Sequence, residues 1–204
     1  MLQANDLIRL IDERYSSCQT YVDEGVLETF TVECGALSTN FRTFFERPNR
    51  IKIDWSALNS PDYTNHALYN NGSVITLAGA PFQIEETNSL AKHLACVTAV
   101  SLGLPLVIPP ILLPKLDGFE PLTKLSTYQF EDAQMALTPH CRYIVRAKSK
   151  GASFLIYLDA EGIIRQVDLA TIATSSRAGC VKATYRYLTA SFDTALSSEV
   201  FAMS

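Results

Sequence analysis
The sequence predicts a mainly β protein of the α+β class, with about ten strands, one N-terminal helix and one central helix followed by a proline-rich tail. Three observations carry this. Most segments alternate apolar and polar residues with the period of two that puts one strand face inward. Two stretches, near the N-terminus and near residue 90, switch to helical spacing. Between the β-rich halves lies Asn88–Pro114, NSLAKHLACVTAVSLGLPLVIPPILLP, in which Lys92 is the only charged residue. A mostly β protein carrying such a segment must cover it or use it.

Residues 5–19 read as a helix with Asn5 as N-cap, Asp6 at the positive end of the dipole, and Leu7, Ile8, Ile11 and Tyr15 as an apolar stripe. Strands follow. In Val22–Cys34 the even positions Val22, Val26, Phe30 and Val32 are apolar, with Glu24 and Glu28 interrupting that face. Ser38–Arg47 sets Phe41, Thr43 and Phe45 on one face and Phe44 on the other. Pro48-Asn49 breaks it, and Ile51, Ile53 and Trp55 alternate with Lys52 and Asp54. A polar loop with Pro61 leads to His66–Tyr69, and Asn70-Asn71-Gly72 is a hairpin signal because Asn and Gly tolerate positive φ. Val74–Ala78 and Phe82–Glu86 read as strands around a turn at Gly79-Ala80-Pro81.

Residues 88–103 read as a helix capped by Thr87 or Asn88, with Leu90, Leu94, Val97 and Ser101 on one stripe and Gly103 as the stop. Pro105–Pro114 is expected to be non-helical, since proline lacks the N–H that a helix interior requires. Pro121–Phe130 resumes strand character. Cys141, Tyr143, Val145 and Ala147 alternate with Arg142, Ile144, Arg146 and Lys148. Ser153–Asp159 is apolar on both faces and so central. Asp159-Ala160-Glu161-Gly162 turns the chain, and Ile163–Thr174 and Cys180–Ala190 give two more strands. A last segment with Val200 and Phe201 is expected to dock on the sheet. Short loops and no visible linker predict a single domain over residues 1–204.

Composition removes several function classes. The 204 residues have a net charge of −4, and Lys and Arg are scattered, which argues against nucleic acid. Val97–Leu113 is at the short edge of a membrane span (about 17–25 residues), and its three prolines and Gly103 argue against a spanning helix. The first residues lack the basic and apolar blocks of a signal peptide. Five cysteines show no C-x-x-C.

Catalytic and metal motifs are absent too. His93 and Cys96 share a helix face, but no second pair completes a zinc site. His140 and Cys141 are adjacent, so on a strand they point to opposite faces, which disfavours pairing as base and nucleophile. No catalytic residue, cofactor or metal is expected, and the protein is expected not to be an enzyme. The aromatic residues, spread over nearly every strand, fit either an ordinary sheet core or a curved sheet whose concave face holds an apolar ligand. Leu104–Leu113 could instead be an exposed docking patch of an interaction or sensory module that binds no small molecule.

The segment Phe44-Phe45-Glu46-Arg47-Pro48-Asn49-Arg50-Ile51, the hairpin at Leu68-Tyr69-Asn70-Asn71-Gly72 and Val74-Ile75-Thr76-Leu77, and the later hairpin Phe154–Asp159, Ala160-Glu161-Gly162, Ile163–Val167 resemble the LolA/LolB-like superfamily in their order. The layout, with Cys141-Arg142-Tyr143, is most similar to its uncharacterised predicted periplasmic members. The resemblance implies an unclosed antiparallel β-barrel, or strongly curved sheet, whose mouth is covered by helices. Asn88–Pro114 would supply the lid, and Arg47 would latch it. A hydrophobic cavity lined by Phe41, Phe45, Ile53, Trp55, Tyr69, Leu94, Val97, Tyr143 and Tyr157 would take a lipid or lipoprotein acyl chain. A membrane-associated protein is a further partner on this reading. The implied location is periplasmic or otherwise exported, the signal peptide having been removed; the alternative is cytoplasmic.

Overall fold
The computed structural model describes residues 3–32, 35–58, 65–70, 73–78, 89–101, 103–149, 151–171 and 180–201. The expected turns at Asn71-Gly72 and Gly79–Pro81, the strand Phe82–Glu86 and the caps Thr87 and Asn88 lie outside them. Helix α1 (Ala4–Ser17) buries Leu7, Ile8, Ile11 and Tyr15, the stripe its spacing predicts. It starts earlier than expected: the Asp6 and Leu7 amides both donate to the Gln3 carbonyl, so Gln3, not Asn5, occupies the N-cap.

The strands are β1 (Thr20–Thr31), β2 (Gly35–Glu46), β3 (Arg50–Ala57), β4 (Asn65–Asn70), β5 (Ser73–Ala78), β6 (Gln129–Thr138), β7 (Cys141–Lys148), β8 (Ala152–Leu158), β9 (Ile164–Thr171) and β10 (Cys180–Phe192). They form one antiparallel sheet of ten strands in the order β5-β4-β3-β2-β1-β10-β9-β8-β7-β6. Each half of the chain is a meander of neighbouring hairpins. The halves join at β1 and β10, and β5 and β6 are left as the two ends, so the barrel is not closed.

The inward face of β1 corrects the sequence reading. Tyr21, Asp23, Gly25, Leu27, Thr29 and Thr31 point into the core, while Phe30 is 50% exposed on the even face. The odd face mixes rings with Asp23 and threonines, so apolar alternation alone selected the wrong side. Strands β2 and β3 turn Phe41, Thr43, Phe45, Ile51, Ile53 and Trp55 inward as expected.

Between β1 and β10 the register slips: Glu24 pairs with Thr189 and Gly25 with Tyr187, leaving Leu188 as the extra residue of a bulge, 67% exposed. A bulge sharpens local bend and twist. It also exchanges the inward set of β10, from Tyr185 and Tyr187 before it to Phe192 after it.

The expected strand Pro121–Phe130 is mostly turns. Lys124 and Thr127 amides donate three residues back, to Pro121 and Lys124, and Thr123 donates its hydroxyl to Asp12 Oδ1 on α1 at 2.5 Å. The strand begins only at Gln129.

The apolar middle contains α2 (Leu90–Val100), a 3-10 turn (Leu104–Leu106) and a one-turn helix α3 (Ile108–Leu112). Ser89 caps α2, its Oγ accepting the Lys92 amide at 3.4 Å. Gly103, at φ 114, makes the left-handed stop. Helix α3 corrects the expectation of an irregular tail: Pro109 and Pro110 fall in its first turn, where a missing N–H costs nothing. At the C-terminus, a 3-10 turn (Ser198–Phe201) buries Phe201 against β3, with the Arg50 guanidinium 4.2 Å from the ring centroid.

The exposed docking patch is also corrected. Leu104, Val107, Ile108, Ile111 and Leu112 are buried and only Leu106 is exposed, because helical turns fold the segment's apolar side onto the sheet. Ile111→Ala is therefore expected to cost about 2–5 kcal/mol in urea unfolding, and Leu106→Ser to stay within about 0.5 kcal/mol of the parent. Equal costs at the two positions would contradict this placement.

Candidate functional site
The concave face of the half-barrel and its helical cover are the candidate site. Strands β2, β3 and β4 contribute Phe41, Phe45, Ile53, Trp55 and Tyr69, and α2 contributes Leu94 and Val97 from above. These seven residues, all expected from sequence, fall in one buried cluster with Ile108, Ile111 and Leu112 of α3. Tyr143 on β7 is half-buried and packs on that cluster. Tyr157 does not join them. The period of β8 sends Ile156 and Leu158 inward, so Tyr157 faces outward beside Asp168.

Arg47, at the corner between β2 and β3, reaches two helices at once. Its Nε donates to the Cys18 carbonyl at 2.7 Å, and Nη2 donates to the carbonyls of Tyr15 at 3.3 Å and Ser16 at the end of α1. Nη2 also donates to the Leu112 carbonyl of α3 at 3.0 Å. A cation at helix C-termini is favoured by the dipole and by otherwise orphaned carbonyls. The guanidinium lies 5.3 Å from the Phe45 ring centroid, which binds the corner to the core. Tyr185 makes a second tie, its hydroxyl donating to the Gly103 carbonyl at 2.9 Å.

The interior is not uniformly apolar. Asp23 is fully buried on β1, opposite Thr43. Its Oδ1 accepts the Thr43 amide at 3.0 Å. Burial pushes its carboxyl up to about 7, against the lowering effect of Thr43 and the nearby Tyr21 hydroxyl. That hydroxyl lies close to Asp23 and to the Tyr15 hydroxyl, yet neither it nor Asp23 Oδ2 completes a hydrogen bond of full geometry among the described residues. Burial likewise raises the Tyr21 and Tyr187 phenols well above their usual range, with the Asp23 charge adding to it. None of these groups stood out in the sequence, because a lone Asp on a face taken for the solvent side carries no signal.

His93 is buried on α2, 6.1 Å from the Tyr69 ring centroid, and burial lowers it to about 4. Its Nδ1 lacks a partner among the described residues. Cys96 is half-buried; Cys18 is buried and its thiol is pushed up to about 11, an unreactive state. Among the described residues no three His, Cys, Asp or Glu side chains converge as a metal site, and no helix is long and apolar enough to cross a membrane. Two clefts of about 310 Å³ each open on the outer face, one beside Arg146, Lys148 and Lys182 and one beside Glu24, Arg42 and Asp54.

No protein-family profile matches the sequence, and no curated protein sequence matches it. Solved structures similar to the chain include the MucA/MucB complex of Pseudomonas aeruginosa, at 11% identity and a TM-score of 0.49, covering 98% of this chain and 61% of that one. The chain thus spans about three fifths of that neighbour's length. A DUF1329 family protein from Desulfovibrio piger is 12% identical with a TM-score of 0.46, covering 98% of this chain and 95% of that one. A LolA superfamily protein from Nitrosomonas europaea is 7% identical with a TM-score of 0.43, covering 100% and 99% of the two chains. At this distance the likeness assigns no activity, ligand or partner to this chain.

Proposed function
We propose that this protein is a non-enzymatic binder or carrier of a lipid, a lipoprotein acyl chain or another hydrophobic ligand in the cell envelope. The observation that carries the reading is Arg47, whose one guanidinium ties α3 to the end of α1 across the mouth of an open, aromatic-lined sheet. A cover held by few polar ties over an apolar face is suited to opening. The face that α2 and α3 would uncover is that of Phe41, Phe45, Ile53, Trp55 and Tyr69, with Tyr143 at its border. Each acyl methylene buried there would contribute about 0.8 kcal/mol. The envelope location follows the resemblance of the Arg-Pro-Asn corner and the two hairpins.

Native mass spectrometry after mild purification, with solvent extraction of the sample, tests the reading. A co-purifying lipid, or saturable uptake of a fluorescent fatty acid by the delipidated protein, is expected; neither occurring would overturn it. Arg47→Leu is expected to speed ligand release at least several-fold while unfolding shifts less, by about 1–3 kcal/mol for lost charge-assisted bonds. Loss of stability with unchanged release would make Arg47 a structural tie only.

A further inference from the structure
Resting on that reading, we propose that Asp23 and Tyr21 form a polar anchor inside the half-barrel that receives the ammonium group of an apolar amine. Two polar atoms, Asp23 Oδ2 and the Tyr21 hydroxyl, are buried close to each other, and neither completes a hydrogen bond of full geometry among the described residues. Buried polar groups in folded proteins are nearly always satisfied, so such a pair calls for a partner. Among the described residues no cation supplies it. Asp23 makes no ion pair among the described residues, and the charged group nearest it in effect is another acid, Glu24.

The walls on either side are aromatic. Tyr15, Tyr21 and Phe192 form a three-ring cluster with centroids 4.9–5.4 Å apart. Phe41 and Tyr187 meet edge to face at 5.6 Å beyond Gly25. A carboxylate between aromatic faces is the chemistry that selects an alkylammonium, whose charge pairs with the acid while its flanks rest on the rings. A fatty acid brings like charge to the same spot, and an alcohol brings a donor but no charge. A single trapped water bridging Oδ2 and the Tyr21 hydroxyl would satisfy both atoms and leave no selectivity among ligands.

Calorimetric titration of delipidated protein with dodecylamine, 1-dodecanol and dodecanoic acid, each below its solubility or micelle limit, decides between these. The amine is expected to bind at least about tenfold tighter than the other two, and Asp23→Asn to remove that advantage while the alcohol's affinity stays the same. Tyr21→Phe is expected to weaken the amine by a smaller factor. Equal affinities in parent and variant would overturn the anchor while leaving the apolar site standing. Binding of none of the three would overturn both. Circular dichroism of Asp23→Asn, which keeps the shape of the side chain, separates lost recognition from lost folding.

Discussion
Asp23→Asn is expected to raise stability at neutral pH by on the order of 4 kcal/mol. The ordinary carboxyl value is 3.8, and burial takes that of Asp23 to about 7. Below the first value the acid is protonated in both folded and unfolded chains. Between the two, the unfolded chain gives up its proton and the folded one keeps it, so stability falls as pH rises and levels off above the second. Groups facing Asp23 are the phenols of Tyr15, Tyr21 and Tyr187 and the neighbouring Glu24, none of which offers a compensating charge.

His93 acts in the opposite sense. Its ordinary value is 6.5 and burial lowers it to about 4, so stability is full above the first and is lost as pH falls toward the second, by about 3 kcal/mol. Over their shared range the two slopes oppose, and the parent's stability is expected to be nearly level. Urea unfolding of Asp23→Asn from pH 4 to pH 7 is expected to expose the histidine slope alone, rising with pH. A variant no more stable than the parent at pH 7 would mean that the carboxylate is already satisfied.

Gly25→Ala is expected to destabilise by about 3 kcal/mol or more. A Cβ there would lie 2.2 Å from the Arg186 carbonyl oxygen and 2.6 Å from Phe41 Cζ. The first contact is backbone, so it is relieved only by parting β1 from β10 at the bulge, the seam that joins the two halves of the sheet. The Phe41 ring, which closes over the glycine toward Tyr187, must move as well. A urea midpoint unchanged by the substitution would show that the strands lie further apart here.

Much of the fold was legible because it is local. Hairpins and amphipathic stripes are written within a dozen residues, and Leu7–Tyr15, Phe41–Phe45, Ile51–Trp55 and Leu94–Val97 all bury the side their spacing selects. The misreadings arise where a distant partner decides. Strand β1 lies between two others and buries a face carrying Asp23 and two threonines, which pattern alone assigns to solvent. Proline fixed the expectation for Pro105–Pro114, yet two of those prolines sit where a helix tolerates them. The ring of Tyr157 suggests an inward position, while the parity of β8 turns it outward. The resemblance carried by the Arg-Pro-Asn corner implies that Arg47 ties down the lid segment, and its bond to Leu112 lies within that segment; which carbonyl it meets is not written in the sequence, since a segment 65 residues away supplies it.

The seam between β1 and β10 also bears on how the chain acquires its structure. Asp193, in a left-handed conformation just past β10, accepts the Gln19 amide at 2.6 Å across 174 residues of sequence. Every other strand pairing is between sequence neighbours, so two half-sheets are free to form early, each with its aromatic side bare. Joining the chain's distant ends closes the largest loop in the molecule and is the natural slow step. Until it occurs the nascent protein displays the same surface that the finished one hides. The window before β10 is synthesised and docked is thus when that apolar face is bare.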